Sequence, residues 1–220
     1  MWKNRKKTPP TAAQKERGTE FLFSLKILTN VLFALLLFQV FLILPRPDDP
    51  ELDYYSLKQI FGGNKDRLVV IFIGLVLIVI YWIQINKQLG NLKRSSAFHA
   101  AVAVCQMFSL MLYIYFVRFD MEFDGLEIAL QMQSVFLALS GFLGVFNWVY
   151  ARKHELTSEF INEEEEKHMF FQLLPEPCAA LFSLPFATLG PGAWSLSFLI
   201  ILPLTYIFGK LGKRNENKSK

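Results

Sequence analysis

Long apolar runs separated by clustered charge divide the chain into six stretches, at 21–44, 68–85, 98–117, 126–149, 170–188 and 193–209. Each approaches the roughly 20 mostly apolar residues that a helix needs to cross about 30 Å of hydrocarbon. The pattern predicts an all-α polytopic membrane protein with six transmembrane helices. The first four stretches contain no proline. The fifth contains Pro175, Pro177 and Pro185, and the sixth contains Pro203, so these two are expected to be shorter and kinked, with room for the first turn of the fifth in the interface. Residues 1–18 read as a basic, flexible arm, 19–209 as the transmembrane domain and 210–220 as a basic tail. Between the first two spans, Tyr54–Phe61 has paired tyrosines between acidic and Gly-rich flanks, the make-up of a short amphipathic helix in the headgroup layer. No internal repeat is evident, which predicts one bundle instead of two fused halves.

Composition agrees with lipid as the main solvent. Only 19% of the 220 residues are charged, against about a quarter in a soluble domain. The first apolar stretch exceeds the 7–15 residues of a signal-peptide core and lacks a small-residue cleavage site, so a retained span is expected. Cys105 and Cys178 both fall within spans, where thiols act as small apolar groups and no disulfide is expected.

The distribution of charge predicts orientation. The N-terminal arm (Lys3, Arg5, Lys6, Lys7, Lys15, Arg17), the second loop (Lys87, Lys93, Arg94), the fourth loop (Arg152, Lys153, Lys167) and the tail (Lys210, Lys213, Arg214, Lys218, Lys220) hold most of the 23 basic residues. The first and third loops are instead rich in acid, with Asp48, Asp49, Glu51, Asp53 and Asp66, then Asp120, Glu122 and Asp124. The alternation fits an even number of spans with both termini in the cytoplasm. The arm then serves as an orientation signal and a contact for anionic lipid, not for nucleic acid. Glu163–Glu166 read as a solvated helix face in the fourth loop.

Little in the chain suggests catalysis. His99, His154 and His168 have no ligand spacing to one another, to Cys or to a carboxylate, and no zinc-protease, paired-cysteine or phosphate-cradling motif occurs. No enzymatic activity and no cofactor are expected. A coupled transporter needs an ionisable group deep in the membrane. Lys26 lies inside the first span, about two turns from its basic end, and reads as a snorkelling side chain. Glu127 and Glu176 are placed near span ends, which leaves no carboxylate at mid-membrane and weighs against coupled transport. The uncharged polar residues Asn30, Gln39, Gln84, Asn86, Gln106, Gln131, Gln133 and Asn147 are expected mainly as helix–helix glue.

In the first span, Leu28, Leu32, Leu35, Gln39 and Leu42 follow helical spacing and form one stripe, with Asn30 on another face. Plain packing accounts for such a stripe. Several copies around an axis would instead make hydrophobic rings that gate by dewetting.

Leu28-Thr29-Asn30-Val31-Leu32-Phe33-Ala34-Leu35 resembles a degraded form of the motif FSDGVFAI. That motif opens the first helix of the lysosomal potassium channel family (transmembrane protein 175) and its bacterial single-repeat relatives. Ile80-Tyr81-Trp82 is similar to the family's Trp-bearing second helix. The loop layout, the polar fourth loop and the proline-containing last helices also agree. The resemblance implies a homotetramer in a bacterial plasma membrane, whose first helices surround a passive, potassium-permeable pore. Leu35 would form the narrow constriction, Leu42 a second ring with Gln39 between them, and Leu28 and Leu32 the cytoplasmic side. The chain departs from the motif where Asn30 replaces Asp and Val31 replaces Gly, and where Ile85 and Asn86 stand in place of the family's histidines. The family's polar residues tie helices together, so Asn30 would keep a neutral bond with Gln84, Asn86 or His99. The alternatives are a non-conducting membrane scaffold of the same fold and, after it, a secondary transporter.

Overall fold

The computed structural model describes residues 12–43, 65–123 and 126–216. They form α1 (Ala12–Ile43), α2 (Lys65–Gly90), α3 (Ala97–Glu122), α4 (Glu127–Lys153), α5 (Glu163–Gln172) and α6 (Pro175–Ser183). A 3₁₀ segment (Leu184–Leu189), α7 (Pro191–Ser197), a 3₁₀ turn (Phe198–Ile200) and α8 (Ile201–Glu216) follow. Six helical spans are long and apolar enough to cross a membrane: Lys15–Val40, Val69–Gly90, Ala97–Glu122, Glu127–Lys153, Glu163–Leu189 and Pro191–Gly212. The protein is thus an all-α polytopic membrane protein. The Tyr54–Phe61 segment lies outside the described residues.

Local sequence explains where the helices begin. Ser96 caps α3 by accepting from the His99 backbone N–H. Asn162 and Glu165 form a reciprocal capping box at the start of α5. That helix opens with Glu163–Glu166 in its first turn, where the positive end of the helix dipole favours negative charge. The four glutamates therefore begin the fifth span. They are also not uniformly solvated: Glu166 accepts from Arg152 Nε at 2.9 Å, and its carbonyl accepts from Trp148 Nε1 at 3.0 Å.

Proline divides the last two spans differently from a simple kink. Pro175 and Pro191 open α6 and α7 at first-turn positions, where the missing N–H costs nothing, and Pro185 sits at the start of the 3₁₀ segment. The fifth and sixth spans are chains of short helical pieces. They are longer than the prolines suggest, because each piece restarts within three residues of the end of the one before.

The core draws on all the long helices, with α4 packed closely against both α3 and α6. Gly144 allows α4 to approach Gln106 of α3, since a Cβ there would stand 2.6 Å from Gln106 Nε2. Gly141 does the same against α6, where a Cβ would stand 2.7 Å from Pro177 Cβ. Polar side chains bridge these close contacts. Ser140 donates to the Gln106 carbonyl, Gln133 to the Phe116 carbonyl, and Trp194 Nε1 to Ser134, which is itself 2.6 Å from Ser183 Oγ.

At one end of the bundle the N-terminal helix and the two basic connections are tied together. Ser95 N–H donates to the Gly18 carbonyl, Lys93 N–H to Leu156 O and Ser158 N–H to Asn91 O, and the Lys93 ammonium lies 3.2 Å from Glu159. Residues 12–18 are accordingly the first two turns of α1 and not part of a flexible arm. Gly18 lets that turn pack against Arg94 and Ser95, whose atoms lie 3.1–3.2 Å from where its Cβ would be. Gly212 of α8 packs on His168 at the same end.

Candidate functional site

Helix α1 packs on α2 and α3 and leaves its remaining surface open. Leu22, Leu25, Thr29, Phe33, Leu36 and Val40 are buried, a stripe at helical spacing that faces the bundle. On the opposite face Leu28 is 40% exposed and Leu35 and Leu42 are each 48% exposed. Val31 and Phe38 are exposed between them. The outward row is therefore Leu28, Val31, Leu35, Phe38 and Leu42, a three-four spacing that matches the seam of associating helices.

This corrects the expected stripe in two places. Leu32 packs against the core and Gln39 is half-buried. At 100° per residue both positions rotate towards the buried face, while Val31 and Phe38 rotate away from it. Lys26 is half-buried on the helix flank.

The expected polar network is also differently composed. Asn30 Oδ1 accepts from Trp82 Nε1 at 3.3 Å, across the α1–α2 contact. Asn86 Nδ2 donates to the Trp82 backbone carbonyl one turn back, while Asn30 takes the indole N–H of the same residue. Gln84 belongs elsewhere: its amide donates to Gln172 O, where α5 gives way to α6. His99 is buried at the start of α3, with Nδ1 3.0 Å from Ser95 Oγ. Gln84 and Asn86 are only two apart and lie on different faces of α2, and His99 serves the cap of its own helix, so the four residues cannot converge on one point.

A second feature lies inside the bundle. Glu176 is 7% exposed, and the Gln84 amide approaches its carboxyl. Its neighbour Pro177 packs on Gly141, next to the midpoint of the 27-residue α4, and Glu176 lies midway along the span Glu163–Leu189. The sequence places Glu176 near a span end, whereas it lies buried in the bundle at the midpoint of this helical span. The fifth span starts at the glutamate run, seven residues before the apolar stretch, so Glu176 is two turns deeper than the apolar boundary implies.

Compared with family models, curated proteins and solved structures, the chain matches none of them.

Proposed function

We propose that the protein is a passive, potassium-permeable channel, formed by four copies whose α1 helices surround the pore. The observation that carries this reading is the outward row on α1. A pore-lining residue of an oligomer must be exposed on the single subunit, and Leu28, Leu35 and Leu42 meet that condition on a helix at the margin of the bundle. Four such rows around an axis make rings at successive heptads, with Leu35 central and Val31 and Phe38 at the helix seams. Leu32 and Gln39 turn from the axis towards their own bundle.

The Asn30–Trp82 bond supports the same reading. It joins the two segments that resemble the potassium channel family, and it fixes the rotation of α1 about its own axis. A gate ring works only if each helix presents the same face to the axis. With the basic ends of the spans facing the cytoplasm, the termini lie inside and Leu28 marks the inner mouth.

The test is reconstitution of the full chain in liposomes, with potassium-gradient-driven flux measured beside the oligomeric state. A tetramer passing potassium, with flux raised in Leu35→Ala, supports the proposal. A folded tetramer that passes no potassium, with no change in Leu35→Ala, favours a scaffold whose outward row is a packing surface.

A further inference from the structure

The interior of the subunit carries a group that the α1 pore does not use. Glu176 lies in the first turn of the fifth span's middle piece, buried next to the contact of Pro177 with Gly141 near the midpoint of α4. Its Oε2 has no hydrogen-bond partner among the described residues. A carboxylate so placed, surrounded by apolar helices, is an uncompensated charge in a medium that does not solvate it. Neutralising it takes a bound cation or a proton. Ionisable side chains at this depth in membrane proteins are retained for such exchange.

The surroundings decide which ligand. A metal cation requires several oxygen or nitrogen donors, and among the described residues no group of three His, Cys, Asp or Glu side chains assembles. Near the carboxyl stand the Tyr81 hydroxyl of α2 and Cys178 on its own helix, with Tyr113 of α3 beyond Tyr81. The Tyr81 hydroxyl is already committed to the Leu137 carbonyl at 2.8 Å. The ionisable groups of α4 (Glu127, Tyr150, Arg152, Lys153) sit at its ends. Those of α8 are the outward Tyr206 and groups from Lys210 onward. Helix α7 and both 3₁₀ segments have none. One carboxyl with one spare oxygen suits a proton.

Access comes from the inner side. A cavity of about 270 Å³ lies between α2, α5 and α8, with Gln84, Lys87, Gln172 and Thr205 in its wall. Gln84 faces both the cavity and the Glu176 carboxyl. Lys87 follows it by three residues, on the same side of α2, with an ammonium that repels a free cation from this entrance. His168 is also nearby, 2.9 Å from the Gln172 side chain.

We propose that Glu176 is a mid-membrane proton-binding site, reached through the Gln84 cavity. Release of the proton leaves a charge that the bundle accommodates by admitting water from the cavity or by drawing Lys87 inward. Either response shifts α2 against the α5–α6 junction, so proton occupancy is linked to the packing of the helix that holds α1 in place. The site stands apart from the α1 row and needs no conduction through it.

Infrared difference spectroscopy of the full chain in lipid nanodiscs, between acidic and alkaline buffer, reads the site directly. The wild type is expected to show a protonated-carboxyl band, lost at high pH, that is missing from Glu176→Gln. Superposable difference spectra of the two proteins would overturn the proposal. Should Glu176→Gln fail to accumulate, Gln84→Leu provides the test. A band that shifts in frequency and midpoint on loss of this neighbour supports the site, and an unmoved set of bands rejects it. Because the band requires no flux, its appearance in a protein that passes no potassium would keep the proton site and remove the channel.

Discussion

Individual side chains show where hydropathy and environment part. Leu35 and Leu36 are adjacent and chemically identical, yet the first is outward and the second fully buried. Truncating them should therefore have unlike effects. Leu35→Ala is expected to raise potassium flux with little change in thermal stability, because the side chain leaves an open surface. Leu36→Ala removes a buried side chain and should cost about 2–5 kcal/mol, visible as a lowered melting temperature in detergent. Trp82 presents the opposite case, a large exposed ring held by one bond to Asn30. Interhelical hydrogen bonds in membranes average about 0.6 kcal/mol, so Trp82→Phe should destabilise by about that amount. If the bond orients α1, the same variant loses flux out of proportion to this small change, which parallel melting and flux measurements would separate.

The helices owe their limits to caps and close contacts more than to hydropathy. The fifth span begins with a run of glutamates outside the apolar stretch 170–188, because Asn162 caps it and its dipole accepts acid at that end. Asn162→Ala removes one half of the capping box and is expected to cost about 1 kcal/mol, with amide exchange in α5 accelerating before the rest of the bundle. Deeper in the same span, the approach of α4 to α6 rests on the absence of a side chain at Gly141. The ring of Pro177 cannot swing aside as a flexible chain would. Gly141→Ala should force the helices apart at a cost of about 1–3 kcal/mol, read by denaturation in mild detergent. It would also disturb Glu176, one residue from the contact.

Across the whole molecule, the chain gathers its basic connections at one end by direct bonds between the α2–α3 and α4–α5 loops and the first turns of α1. Single cysteines replacing Lys93 and Glu159, in a chain with Cys105→Ala and Cys178→Ala, should react with an impermeant reagent from the same side of the membrane. A cysteine at Glu122 should react only from the other. A split between the first two positions would refute the six-span arrangement. Assembly belongs to this scale too. The margin position of α1 leaves its outward row to be covered either by lipid or by copies of itself, and the copy number decides whether that row lines a pore.

Six spans, their order and the common side of the basic loops were legible in the chain, because hydrocarbon imposes length and apolarity one segment at a time and charge acts through its mere location. Much of the helix glue was legible as well: Gln106 and Gln133 sit in apolar runs and duly lie at helix contacts. Folding alone decided which polar groups meet. Asn30 faces Trp82 and not His99 because partners depend on the relative rotation of whole helices, to which no local pattern is sensitive. The same holds for α1, where a rotation of about 100° separates outward Val31 from core-packed Leu32. It holds most strongly for Glu176, whose depth is set by where the preceding glutamates start their helix and by how closely Gly141 lets Pro177 approach. Burial is a property of neighbours brought from distant parts of the chain, and only their packing encloses a carboxyl between two prolines at the middle of a helical span.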